Sequence, residues 1–213
     1  MLKGTPIETG YYNFLTRYLV PVLVQLKLKP NHISLLGFVA SILAGIGFAY
    51  EPFVGGLLTL LTGLLDTLDG SLARALGQSR KFGAFLDSVL DRYTELIIYL
   101  GIWTFFYRQG GSTPFFSLTI LLILFGSLMV SYTRARAEGL GERCMVGVFQ
   151  RGERIILLGL SGLLNPFMNN LTGAAPGTWS RDILIVLVLV VLAIGTNLTA
   201  VWRFLHVLNN LRR

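Results

Sequence analysis

Six apolar runs dominate the chain, near residues 33–50, 54–76, 83–107, 115–136, 152–170 and 182–205. Each approaches the roughly 20 residues an α-helix needs to cross a hydrocarbon core of about 30 Å. The pattern therefore predicts an all-α polytopic membrane protein with six transmembrane helices. Ahead of them, residues 8–28 place Tyr11, Tyr12, Phe14, Leu15, Tyr18, Leu19, Val22, Leu23 and Leu26 close to a 3.6-residue period, with Arg17, Gln25 and Lys27 interleaved. Such a stripe suits an amphipathic helix lying in the interface with its rings at headgroup depth, and Glu8, Arg17 and Pro21 argue against a further span. Lys29-Pro30-Asn31-His32-Ile33-Ser34 then breaks the helix and opens the first span, with Asn31 or Ser34 as N-cap. The expected division is residues 1–32 as an N-terminal interfacial helix and cap segment, and residues 33–213 as a six-helix transmembrane domain.

Composition supports this class. With 53% apolar and only 14% charged residues and a mean hydropathy of +0.65, an ordinary soluble domain is excluded. Threading the six spans puts sixteen of the eighteen Lys and Arg residues on one face, leaving Arg108 and Arg181 on the other. Basic residues collect on the cytoplasmic side, so both termini and the segment around Asp66–Asp91 are expected there. The net charge of +7 is then directed at anionic membrane lipid headgroups, with no nucleic-acid partner expected. Cys144 stands alone, which rules out an intrachain disulfide. His32 and His206 are too few and too far apart to suggest a metal-binding set, and both are read as interfacial.

Four carboxylates interrupt the apolar pattern. Asp66 and Asp69 are three apart, Asp87 and Asp91 four apart, so each pair shares one helix face. An Asp at the centre of a membrane helix costs roughly 2.5 to 3.5 kcal/mol on insertion scales, and four together require positive charge between them. All-oxygen donors favour hard divalent ions, and two Mg²⁺ or Mn²⁺ would offset four aspartates. Gly70 and Gly83 are small enough to let two helices approach and share ligands. The short connection from Ala75 to Lys81 predicts an antiparallel pair, with Asp66 and Asp69 opposite Asp87 and Asp91. A solvated acidic loop is the plain alternative, but it does not explain carboxylates in register with apolar residues on both sides.

These residues read Asp-x-x-Asp-Gly-x-x-Ala-Arg from Asp66 to Arg74 and, eight residues on, Gly-x-x-x-Asp-x-x-x-Asp from Gly83 to Asp91. The stretch resembles the signature of the CDP-alcohol phosphotransferase family at every fixed position. The resemblance implies an integral membrane enzyme in which an acceptor hydroxyl attacks the β-phosphate of a CDP-activated lipid and CMP leaves. It implies that Asp66, Asp69, Asp87 and Asp91 hold two divalent metals and that Asp91 is also the base. It further implies that Asn31, His32, Ile33 and Ser34 border the CDP-lipid, CDP-diacylglycerol or CDP-archaeol. Asp66, Asp69, Gly70 and Arg74 are expected to contact its nucleotide, with Ser79 and Arg80 in the loop. Family members commonly carry Thr or Ser where this chain has Arg80. A homodimer is expected on the same ground, and Gly101 and Gly126 offer close-packing positions.

Two basic runs remain, Ser131-Tyr132-Thr133-Arg134-Ala135-Arg136-Ala137-Glu138 and Gln150-Arg151-Gly152-Glu153-Arg154, with Arg203 near the end of the last span. One reading is that they anchor helix ends by snorkelling, Arg151 included. Their pattern is also similar to the branch of the family that makes phosphatidylinositol phosphate and to its archaeal counterpart. That similarity implies a pocket in which Arg134, Arg136, Arg154 and Arg203 receive the phosphate of a phosphorylated polyol such as inositol 1-phosphate, and a dianionic acceptor needs such cationic donors. Alternatives with the same chemistry are glycerol 3-phosphate, serine or a CDP-inositol partner, as in di-myo-inositol phosphate phosphate synthesis. A divalent-ion or proton transporter, or a structural scaffold, are the rivals from other classes.

Overall fold

The computed structural model of the protein describes residues 6–77, 81–173 and 181–212. Among them every regular element is helical. A short N-terminal stretch comprises α1 (Pro6–Phe14), a π-type segment (Leu15–Leu19) and α2 (Val20–Gln25). Six long helices follow: α3 (Pro30–Tyr50), α4 (Pro52–Ala75), α5 (Lys81–Arg108), α6 (Thr113–Gly139), α7 (Arg151–Thr172) and α8 (Ile183–Leu211). The protein is all-α and polytopic, yet five of these helices, not six, are both long and apolar enough to cross a membrane. The exception is α5, because Asp87, Asp91, Arg92 and Glu95 interrupt its apolar pattern.

Contacts between helices close a ring in the order α3, α4, α7, α8, α6, α5 and back to α3. Phe48, Ile98, Tyr99, Ile102, Phe106, Ile123, Leu158 and Leu189 fill its interior. Outward faces carry exposed apolar residues such as Leu35, Val39, Leu121, Phe125, Val191 and Leu198, as lipid-facing helices require. Although joined by a short connection, α4 and α5 touch only sparingly. The expected antiparallel pair does not pack directly, because α3 lies against both and leaves a space between their charged faces.

Small residues set the helix spacing. A Cβ at Gly101 would strike the carbonyl of Gly45, and one at Gly126 would strike Thr196. Both glycines are therefore spent on packing within the chain, α3 on α5 and α6 on α8, rather than left as contacts for a second copy. A Cβ at Gly56 would collide with the backbone of Gly159 and Gly162, which brings α4 and α7 together backbone to backbone.

Neither expected N-cap operates. The N-cap of α3 is Lys29, with Pro30 in the first turn and no side-chain capping bond. Proline's fixed φ favours the first helical position, so Pro30 displaces the start upstream of Asn31 and Ser34. On the N-terminal stretch, Leu15 and Val20 are buried with Ile33, Leu68 and Leu72, while Tyr11, Phe14, Tyr18, Val22 and Leu26 are exposed.

Residues 140–150 between α6 and α7 carry no helix but are firmly tied down. Cys144 is buried beside Ala137 and Val207. The Phe149 amide donates to Thr199 Oγ1 at 3.3 Å. Gly147 adopts φ 112°, and a Cβ there would run into the Thr199 methyl group. At the other end of α7, Asn165 Nδ2 and Asn169 Nδ2 donate to Asp182 Oδ1 at 2.6 and 3.2 Å, which joins the end of α7 to the start of α8.

Candidate active site

A cavity opens where α3, α4, α5 and α7 meet, and all four aspartates stand on its wall. Helical spacing puts Asp66 and Asp69 on one face of α4 and Asp87 and Asp91 on one face of α5. Asp66, Asp69 and Asp87 each offer a carboxylate oxygen, and these oxygens lie within 4.8 Å of one another. Ser34, reaching down from the first turns of α3, donates to Asp69 Oδ2 at 2.6 Å and fixes that carboxylate. Three converging oxygen donors of like charge fit a hard divalent cation.

Asp91 is outside this trio among the described residues and instead meets Arg151. The guanidinium bridges two carboxylates, with Nη1 2.5 Å from Asp66 Oδ2 and Nη2 2.8 Å from Asp91 Oδ1. Arg151 is the residue that the sequence reading left as a helix anchor. Its signal was available in the Arg151–Arg154 spacing, which puts two cations on one face of α7 at the end where the aspartates lie.

Arg154 is 2% exposed. It pairs with Glu95 of α5, and its Nη1 donates to the Phe149 carbonyl at 3.0 Å. Glu95 was also missed, although it continues the face of Asp87 and Asp91 by one more turn. Arg203, likewise buried, donates Nε to Val146 O and Nη1 to Val130 O, both at 2.7 Å. Arg134 pairs at 2.8 Å with Glu138, both partly exposed. Arg203 ties α8 to α6 at Val130, one turn before Arg134, and to the segment ahead of α7 at Val146. Arg136, two residues beyond Arg134, is exposed.

On the donor side, Asn31 and His32 are exposed and Ser34 is half-buried. Ile33 packs into the cluster with Leu68 and Leu72, so its side chain is a packing group. Arg74 is exposed, donates to Ser71 Oγ at 3.1 Å and lies over the Tyr12 ring at 5.7 Å. Gly70 and Gly83 are not points of close helix approach. A Cβ at Gly70 would stand 3.5 Å from Arg74 Nη1 and one at Gly83 3.8 Å from Asn31 Oδ1, so both border open space beside candidate donor contacts. Ser79 and Arg80 lie outside the described residues.

A carboxylate cage inside a ring of apolar helices, with arginines beside it, fits a membrane-embedded site for divalent metal and anionic ligands. The family model for CDP-alcohol phosphatidyltransferases matches residues 27–202, and the chain belongs to that family. It is 38% identical over 197 residues to the archaetidylinositol phosphate synthase of Methanothermobacter thermautotrophicus, covering 92% of this chain and 91% of that one. Its fold matches crystal structures of a phosphatidylinositol phosphate synthase from Mycobacterium tuberculosis. With CDP-DAG bound, the TM-score is 0.75 at 27% identity, covering 91% of this chain and 93% of that chain. In complex with manganese and citrate, the TM-score is 0.74 at 26% identity, covering 90% and 88%. The protein is thus an enzyme and a multi-pass membrane protein, and the transporter and scaffold readings are set aside.

Proposed function

We propose that the protein transfers a phosphatidyl or archaetidyl group from a CDP-activated lipid to inositol 1-phosphate or a closely related phosphorylated polyol, releasing CMP. The observation that carries this reading is the convergence of Asp66, Asp69 and Asp87 in one cavity with an arginine at its edge. The near full-length likeness to an archaetidylinositol phosphate synthase supports the choice of acceptor.

Asp66, Asp69, Asp87 and Asp91 would hold two divalent ions, which would supply polarisation of the diphosphate and stabilisation of the departing CMP. The chain's own residues do the rest. Asn31, His32, Ile33 and Ser34 line the donor's approach, and Gly70 and Arg74 hold its nucleotide, a role proposed also for Ser79 and Arg80. Ser34 keeps Asp69 oriented. Asp91 takes the proton of the attacking hydroxyl. Arg134 is the acceptor-phosphate contact most readily recruited, since an exposed pair such as Arg134–Glu138 holds its partners weakly, and exposed Arg136 joins it. Arg154 and Arg203, committed to Glu95 and to backbone carbonyls, shape and charge the wall behind the acceptor.

The site and both termini face the cytoplasm in this reading, where nucleotides and sugar phosphates are found. Residues 1–32 lie at the headgroup level against the domain formed by 33–213, with the exposed Phe14, Tyr18 and Leu26 towards lipid. α5 is the sixth span, its charges turned to the cavity, and the functional unit is a homodimer.

The test is an initial-rate matrix of CMP release, with and without Mg²⁺, for CDP-diacylglycerol and CDP-archaeol against inositol 1-phosphate, glycerol 3-phosphate, free inositol and serine. Rates with inositol 1-phosphate are expected to exceed those with free inositol by about 10² or more, since a site built for a charged group rejects the analogue lacking it. Arg134→Gln should raise the inositol 1-phosphate KM about tenfold and leave the CDP-lipid KM in place, as one charge-assisted contact is worth about 1.5 to 3 kcal/mol. Turnover with serine or free inositol that ignores Arg134 refutes the phosphate acceptor.

A further inference from the structure

Arg151 divides the four aspartates. Asp66, Asp69 and Asp87 can present oxygens to one point, while Asp91 is held on the guanidinium through Oδ1. Asp66 has two oxygens and stands in both sets, with Oδ2 on Arg151. The guanidinium's two terminal nitrogens engage the two carboxylates, while its Nε is buried and has no hydrogen-bond partner. A planar fork can bridge two carboxylates in fixed geometry, which a point charge such as an ammonium cannot reproduce.

We infer that Arg151 is a phosphate-operated latch on the cage: a phosphate entering the cavity takes over the guanidinium and frees Asp91 to complete the second metal position and to act as base. The inference rests on the reading that the aspartates hold divalent ions. The step is an exchange of ion pairs, with no bond made or broken. A phosphate group offers more acceptor oxygens than the two it displaces and can also reach the unpaired Nε. Asp91 released without a cation would be an unpaired carboxylate beside Asp66 and Asp87, which is costly in a partly desolvated site. Release and metal arrival therefore occur together. The base becomes available only once a phosphate-bearing substrate is in place, and where that substrate is the acceptor the CDP-lipid is protected from attack by water.

The diphosphate of the donor and the monophosphate of the acceptor share this chemistry, and binding experiments separate them. Mn²⁺ bound per chain is counted by electron paramagnetic resonance on purified protein in micelles, alone and with CDP-diacylglycerol, inositol 1-phosphate or free inositol. Wild type should bind one Mn²⁺ tightly alone and a second only with one of the two phosphate compounds, and whichever suffices identifies the key. A phosphate acting merely as an extra metal ligand would give the same wild-type result, so the variants decide. Arg151→Lys keeps the charge but loses the fork, and Arg151→Gln loses both. Each should take the second Mn²⁺ with no phosphate present, at least about tenfold more tightly than wild type does under that condition, and Asp91→Asn should hold one Mn²⁺ throughout. The first Mn²⁺ is the folding check in every variant. Arg151→Lys and Arg151→Gln that still need phosphate, or a wild type that fills both positions equally without it, would overturn the latch. A wild type that binds no Mn²⁺ at all would overturn the metal reading beneath it.

Discussion

Asp66→Asn, Asp69→Asn and Asp87→Asn should each lower kcat for CMP release by at least about 10³, equivalent to about 4 kcal/mol of transition-state stabilisation, while the protein still inserts and folds. The substitution keeps the shape of each side chain and removes one negative charge from a trio whose oxygens lie within 4.8 Å of one another. A neutral amide oxygen is a poorer donor to a hard divalent ion, and the Lewis-acid contribution lost with the ion amounts to several kcal/mol. The three are not equivalent in their surroundings. Asp69→Asn can still accept the hydroxyl of Ser34, so its loss reports the charge alone, whereas Asp66→Asn also weakens the hold on Arg151. Turnover and Mn²⁺ affinity measured together check the cage, and near-wild-type turnover in any of the three would sink it.

The second large effect falls on stability. Glu95→Leu leaves Arg154 charged and buried with only the Phe149 carbonyl to accept from it, and Arg154→Met strands Glu95 in the same way. Each single change should destabilise the protein by about 3 to 5 kcal/mol, the usual result of orphaning one member of a buried ion pair. The double change Glu95→Leu with Arg154→Met should recover most of that loss, because apolar residues of similar volume commonly replace a buried pair at little cost. If Arg154 also charges the acceptor wall, the double variant regains its thermal midpoint but keeps a raised acceptor KM with an unchanged CDP-lipid KM. Single variants as stable as wild type would show that the pair does not carry the contact between α5 and α7. A loss of acceptor use in Arg154→Gln alone would be uninformative, since it mixes this stability loss with any effect on the site.

The aspartates were legible because metal chemistry restricts both residue type and spacing, and helical periodicity converts that spacing into a shared face. The partners of the arginines were not. Arg151 and Arg154 occur at a helix start, where a cation turned to lipid headgroups and one turned to an internal carboxylate have the same linear context. Only the closed ring, which lets side chains of α5 and α7 meet across its interior, reveals Glu95 and Asp91 as their partners. The six long helices were visible as apolar runs, with bounds shifted by a few residues. Their ring order was not, since a short connection says which helices are consecutive and not that α3 would lie against both α4 and α5. Gly101 and Gly126 show the same limit. A small residue announces a close approach, but nothing in the sequence says whether the neighbour is Gly45 and Thr196 of the same chain or a second copy. At Asn31 and Ser34 local rules competed, and the preference of Pro30 for the first turn prevailed.

The loop that precedes α7 has a bearing on how this chain tolerates change. Gly147, four residues before Arg151, holds φ 112° against the methyl group of Thr199, a backbone setting that side-chain-bearing residues rarely adopt. Any side chain there would have to push aside α8 or shift the start of α7, and the guanidinium that spans Asp66 and Asp91 moves with it. In a saturation mutagenesis map scored by lipid output, this uncharged position would rank with the aspartates. Trimming Thr199 to Ser or Ala would rescue Gly147→Ala only in part, because it removes the collision and leaves the backbone strain.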